Sequence, residues 1–289
     1  MVAGAKPSQK AVRACLGAMR RLICLLLYCI CGLVSMDAVV VLLYHSVDSN
    51  GTFHSVNPTE FRKQMEYLKK NYSIVTLKEI LEFAVDGNAL PKKSVAITFD
   101  DGYYDNYLNA YPYLWEHNLP AAIFLTTGHC GKKAALDGVP LRMLGWNEIK
   151  EMSRNGIVFG AHTVTHPDLR KMGPEEIKGE ILGSANEIER RVGAKVEYFA
   201  YPYGAYTDEI VKLVEDVGIR AAFGSGRTEG LITSAEGPLV LKRVPVDRSV
   251  SMLMFKARLT KAVEWTRRTQ EWARKIGRLF AGNLPGQTK

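Results

Sequence analysis

At 289 residues, 47% hydrophobic and 24% charged, the chain can form one large α/β domain or two small ones, and its composition is that of a globular protein. The net charge of +8 is unevenly spread: residues 1–36 carry +5 and residues 252–289 carry +7, so −4 remains on 37–251. That balance argues against a nucleic-acid-binding core and suits two basic ends that meet an anionic surface.

The first 36 residues are basic up to Arg20-Arg21, then free of charge from Leu22 to Val34. This reads as a signal peptide or a short membrane anchor, which implies a cell-envelope protein, exported or anchored. The alternative is a translation start at Met36, immediately before the first strand-like run, which makes the protein cytoplasmic. Cys15, Cys24, Cys29 and Cys31 lie in this leader and Cys130 stands alone in the body, so the body has no disulfide framework.

From Ala38 to Tyr44 the chain reads as a buried strand ending at His45. Asn57-Pro58 starts a helix, and Thr76 with Glu79 starts another with the signature of a capping box. A strand over 94–99 is followed by a Tyr-rich helical stretch to about Asn118, a strand from Ala121 to Leu125, a short helix from Trp146 to Asn155, and a strand from Val158 to Ala161 ending at His162. From Pro174 to Val192, Ile177, Ile181, Leu182, Ala185, Ile188 and Val192 share one helical face, and Gly193 stops it. A strand from Val196 to Tyr201, a helix from Thr207 to Val217, and strands from Arg220 to Phe223 and Leu239 to Val246 follow. Strands and helices alternating at short intervals predict parallel βα units in a closed or nearly closed barrel. The tail from Met252 to Phe280 predicts a long basic helix with Trp265 and Trp272, either a membrane-surface element or a solvated closing helix. The expected division is 1–36 leader, 37–250 domain, and 251–289 basic helix.

The chain is organised around Val95-Ala96-Ile97-Thr98-Phe99-Asp100-Asp101-Gly102, an apolar strand that ends in two carboxylates and a glycine. Two acids at the tip of a buried strand cost desolvation unless a cation or donors receive them, so the tip is a site or an ordinary polar turn. Gly102 lets the backbone turn there, so one acid can hold a metal while the other handles protons. His162-Thr163-Val164-Thr165-His166-Pro167 is the second group. Fully extended, the two imidazoles lie ~13 Å apart and cannot share an ion, so an isolated turn after a strand is expected. Asp100-Asp101, His162-His166, Tyr201-Pro202-Tyr203-Gly204 and His45 each follow a separate predicted strand, and in a parallel barrel those ends meet at one rim. Two His and one carboxylate match a catalytic zinc that keeps a position open for water.

Thr-Phe-Asp-Asp-Gly, His-Thr-Val-Thr-His and Phe-Ala-Tyr-Pro-Tyr-Gly, in this order, resemble the polysaccharide deacetylases of carbohydrate esterase family 4, the NodB homology domain. The early Leu-Leu-Tyr-His-Ser-Val is similar to the poly-N-acetylglucosamine deacetylase branch. The resemblance covers roughly Val39 to Val246 and implies an α/β fold, a distorted (β/α) barrel with about seven parallel strands. It also implies a metal-dependent hydrolase that removes acetyl groups from N-acetylated amino sugars of a polysaccharide or lipid-linked glycan. By motif, Asp101, His162 and His166 resemble the metal ligands, Asp100 the base and the Tyr203 amide the oxyanion donor, with His45 as candidate general acid. The implied cofactor is a divalent metal, Zn2+ first, with Co2+ and Ni2+ as the other candidates. The family's third motif often places an arginine two residues before the proline, where this chain has Ala200; Arg243 is the candidate to steady Asp100 instead. Tyr103, Tyr104, Trp146 and Tyr203 are candidate sugar-stacking rings or packed aromatics. The contrasting readings are a carbohydrate-binding protein on a degenerate barrel and a deacetylase or amidase of a non-polymer substrate.

Overall fold

A computed structural model describes residues 39–49, 51–225, 230–233 and 237–260. The leader and the basic tail beyond residue 260 lie outside the described residues. Residues 39–250 belong to one compact unit and 251–260 to another, in which Ser251 caps the helix Met252–Arg258. Among the described residues no helix is long and apolar enough to cross a membrane.

Among the described residues there are ten strands: β1 Val40–Tyr44, β2 Ser73–Ile74, β3 Ser94–Phe99, β4 Ala122–Leu125, β5 Lys133–Leu136, β6 Val139–Arg142, β7 Val158–Ala161, β8 Tyr198–Ala200, β9 Ala221–Phe223 and β10 Val244–Pro245. Seven of them follow one parallel path, β10-β1-β3-β4-β7-β8-β9. On one edge of β3, β2 pairs with its first residues and β4 with its last, which distorts the ring. The path returns on itself through a single parallel bridge, Phe223 to Leu241, just before β10. The result is a distorted, partly closed barrel of seven parallel strands flanked by helices, as the alternating pattern predicts.

Helix ends follow local chemistry. Asn57 accepts a hydrogen bond from the Thr59 amide at the start of Pro58–Asn71, and Thr76 and Glu79 make the reciprocal box that opens Leu77–Asp86. In Pro174–Val192 the buried face is Ile177, Ile181, Ser184, Ala185 and Ile188. Leu182 points outward, 38% exposed, contrary to its place in the predicted stripe.

Three expectations need correcting. The predicted last strand, 239–246, is a 3₁₀ turn at Pro238–Val240, one bridge at Leu241 and the two-residue β10, because Pro238 and Pro245 lack the N–H that a ladder needs. The Tyr-rich helix begins as a π-turn, Asn106–Ala110, before Tyr111–Glu116. Pro112 cannot donate to the carbonyl four residues back, and its ring crowds that turn; the chain widens, and Tyr111 donates to Asn106. An antiparallel hairpin, β5–β6, also stands where no strands were predicted. Its turn is Asp137-Gly138, both residues at positive φ, so the Asp-Gly hairpin signal was in the sequence.

Alternation along the strands then carries the chemistry to one rim. Val39 and Val41 of the β1 side and Ala96 of β3 lie in the same core cluster as Phe124, Ala200, Phe223 and Leu241. Two-residue steps lead from these through Leu43 to His45, through Thr98 to Asp100, and from Leu241 to Arg243. In β7 the corresponding step is Gly160 to His162. A Cβ on Gly160 would lie 2.6 Å from the Phe124 ring, so the missing side chain is what lets that ring fill the barrel.

Candidate metal and active site

Asp100 and Asp101 end β3, but only Asp100 continues its inward row. Asp101 is brought into the same cavity by the backbone: its φ is 69°, Gly102 follows at 82°, and the Gly102 amide donates to the Asp100 carbonyl two residues back. The cavity is about 570 Å³ and is lined by His45, Asp100, Asp101, His162, His166 and Tyr203, among others.

Asp101, His162 and His166 each offer one ligand atom, and all three atoms lie within 4.8 Å of one another. Both Nε2 atoms are 3.5 Å from Asp101 Oδ1. Tetrahedral ligands bonded at about 2.0–2.1 Å would be about 3.4 Å apart, so the two spacings to Asp101 fit a small divalent ion. The tautomer fits as well: His162 Nδ1 lies 2.7 Å from the Ala200 carbonyl, which only accepts, so Nδ1 carries the proton and Nε2 presents a lone pair. Burial pushes His166 below the ordinary imidazole value, which favours the neutral ring.

The isolated turn expected between the two histidines is a bend with no helical residues. Thr163 and His166 adopt φ of 66° and 61°, and the Thr163 hydroxyl accepts from the His166 amide at 3.0 Å. Glu180, on Pro174–Val192, holds this bend by accepting from the amides of Val164 and Thr165 and from the Thr165 hydroxyl. Pro167 keeps His166 out of right-handed helix, as its place before a proline requires. With Asp101 and Tyr203 (φ 59°), four non-glycine residues at this rim are left-handed, a concentration of strain typical of functional sites.

Asp100 is 3% exposed and Arg243 fully buried. Arg243 approaches from the residue before β10 and donates from Nη1 to Oδ1 and from Nη2 to Oδ2, both at 2.7 Å; its Nε donates to the Gly224 carbonyl. Burial pushes the Asp100 carboxyl up, but the Arg243 guanidinium outweighs it and holds it at about 2. His45 lies just past β1; burial lowers its pKa while Asp101 and Asp100 oppose the shift. Tyr203 is 65% exposed at the cavity mouth, with its ring 4.7 Å from that of His166.

Of the other predicted rings, Tyr103 is buried in the cavity wall, and burial with Asp101 beside it keeps its phenol protonated. Tyr104 is covered by the Arg142 guanidinium at 3.6 Å, and Trp146 lies under Arg191; neither lines the cavity. Sequence reasoning missed His129, which lines the cavity from the turn after β4, and His54, whose Nδ1 lies 2.8 Å from Asp137 Oδ1 at the hairpin tip. His129 stands four residues past a predicted strand end, a looser form of the signal that picked out His45 and His162, which follow their strands directly.

A family model described as Polysaccharide deacetylase matches residues 87–222. YxkH of Bacillus subtilis (strain 168), named provisionally as a polysaccharide deacetylase, is 31% identical over 218 residues, covering 75% of this chain and 74% of that protein. The poly-beta-1,6-N-acetyl-D-glucosamine N-deacetylase of Staphylococcus aureus (strain MRSA252) is 31% identical over 204 residues, 67% of this chain and 68% of that protein. Among solved structures, the Streptococcus pyogenes deacetylase PplD in complex with acetate superposes with a TM-score of 0.66 at 27% identity, covering 74% of this chain and 94% of that one.

Proposed function

The chain belongs to the polysaccharide deacetylase family, and from that premise we propose that it is a metal-dependent hydrolase that cleaves acetyl groups from N-acetylated amino sugars of a glycan. The observation that carries this reading is the convergence of Asp101, His162 and His166 beside a buried, arginine-paired carboxylate in one cavity. A relative named for an N-acetylglucosamine polymer and a neighbour holding acetate support the substrate class.

In this reading Asp101, His162 and His166 hold a divalent ion, with Zn2+ first on the donor set of two imidazoles and one carboxylate. Such an ion supplies Lewis acidity and lowers the pKa of water. Asp100, kept ionised by Arg243, takes a proton from the attacking water. The backbone N–H of Tyr203 meets the oxyanion, a contact typically worth roughly 2.7 to 4 kcal/mol. His45, whose charged form the carboxylates of Asp101 and Asp100 favour against the burial that lowers its pKa, delivers a proton to the departing amine, so that acetate and a free amino sugar leave. The exposed Tyr203 ring offers an apolar face to the sugar. The basic-apolar leader supports an exported or anchored enzyme at the cell envelope, and the basic ends support contact with an anionic membrane surface.

Acetate release from acetylated peptidoglycan, chitin oligomers, poly-N-acetylglucosamine and acetylxylan tests the proposal. Release from an N-acetylated glycan, lost with chelator and restored by zinc, is expected. Metal binding without acetate release from any of them would overturn it in favour of a carbohydrate-binding protein.

A further inference from the structure

We propose that Asp105, with Asn106 and Asn109, positions His45; this deepens the reading above and rests on His45 as proton donor. His45 follows the last residue of β1, and neither it nor Val47 belongs to a helix or strand. Four polar groups of 45–47 are held by side chains at the start of the π-turn, while the Ser46 carbonyl takes the Val56 amide and its hydroxyl also accepts from Ser55. Asn106 Nδ2 donates to the His45 carbonyl at 2.8 Å, and Asn109 Nδ2 donates to the Val47 carbonyl at 2.8 Å. Asp105 accepts from the Val47 amide on Oδ1 at 2.9 Å and from the Ser46 hydroxyl on Oδ2 at 2.7 Å. Asn106 Nδ2 also donates to Asp105 Oδ1 at 3.0 Å, so three donors converge on one carboxylate.

An acceptor-only group suits that convergence, and it is placed where a charge is costly: Asp105 is 9% exposed and Asn106 1%. The π-turn that presents them directly continues the stretch bearing Asp100 and Asp101. One ten-residue segment, 100–109, therefore carries the proposed base and one metal ligand and also grips the loop of the proposed acid. Proton transfer needs the imidazole within hydrogen-bond reach of the leaving nitrogen, and a misplacement of about 1 Å can cost on the order of a hundredfold in rate.

The test uses zinc-loaded protein and the glycan that releases acetate. Asp105→Ala is expected to lower kcat roughly 10- to 100-fold with KM and bound zinc unchanged, and to broaden or split the ring C–H resonance of His45. Asp105→Asn keeps an oxygen for the Val47 amide, and Ser46 can turn its hydroxyl to accept, so this variant restores kcat to within about threefold. In a His45→Ala background, Asp105→Ala should add no further loss. A loss of equal size in that background, loss of zinc, or an undisturbed His45 resonance overturns the proposal. If Asp105→Ala does not fold, Asn109→Ala carries the same test: a lower kcat and a perturbed His45 signal support the role, and no change in either defeats it. Failure of the wild-type enzyme to release acetate from any glycan instead refutes His45 as donor, and the positioning role with it.

Discussion

Replacing Arg243 by Met removes the guanidinium while keeping most of its buried volume, and it leaves Asp100 without its partner. Burial by itself raises the Asp100 pKa, yet the carboxyl sits at about 2, below its ordinary 3.8. At about 1.4 kcal/mol per pH unit, the ionised form in the folded protein is favoured by roughly 2 to 3 kcal/mol, a surplus left after burial has been offset. Breaking a buried pair of this kind typically costs about 3–5 kcal/mol, because an uncompensated charge stays behind. The sign with pH follows. In the wild type the lowered pKa gives a contribution present above pH 3.8 and lost only as pH falls towards 2. In the variant, burial dominates and the pKa rises, so acid neutralises Asp100 and removes the unpaired charge. Urea unfolding of metal-free protein should therefore show a loss of about 3–5 kcal/mol at pH 7.5 that shrinks towards pH 4.5, and acetate release at pH 7.5 should fall as the base loses its ionised form. Arg243→Lys, with one point charge for a two-pronged grip, should fall between. A loss under about 1 kcal/mol, or one independent of pH, with turnover unchanged, refutes the reasoning.

Asp100→Asn should retain zinc, measured by elemental analysis, while acetate release falls by at least about a hundredfold; His166→Ala should lose both. Asp105, pushed by burial from 3.8 to about 6, gives stability that is complete below pH 3.8 and gone above about pH 6. Metal-free Asp105→Asn should therefore gain up to about 3 kcal/mol relative to wild type between pH 3.5 and pH 7, read by urea unfolding. Tyr203→Gly keeps the backbone donor and suits φ 59°, so it should leave kcat within a few-fold and stability unchanged or up to about 1 kcal/mol better, whereas a large loss of kcat would place the ring in the chemistry. Gly204→Ala should destabilise by more than about 2 kcal/mol in thermal unfolding, since φ is 61° and its Cβ would collide with the Ser225 backbone.

Much of the fold is legible because its causes are local. A five-residue apolar run, an N-cap followed by an acid, or a proline in a first helical turn records in neighbouring residues what the backbone will do, and β1, β3, β7 and the capped helices follow. Strand ends marked by Asp100-Asp101, His162 and His45 predict one functional rim, because parallel strands all finish on the same side of a barrel. Where the signals are short they were outweighed: Asp137-Gly138 announces the hairpin, but its flanking strands have weak β character.

What the sequence determined by itself is the order of strands and helices and the set of polar groups delivered to their ends. The tertiary structure decided which of those groups meet. Arg243 reaches Asp100 across 143 positions only because β10 lies beside β1 and β1 beside β3. Asp101 turns into the cavity, and His162 and His166 converge, only through left-handed backbone that Glu180 and the packed barrel hold in place. Such conformations are disfavoured in the isolated chain, so no local propensity records them, and they persist because long-range contacts supply the difference.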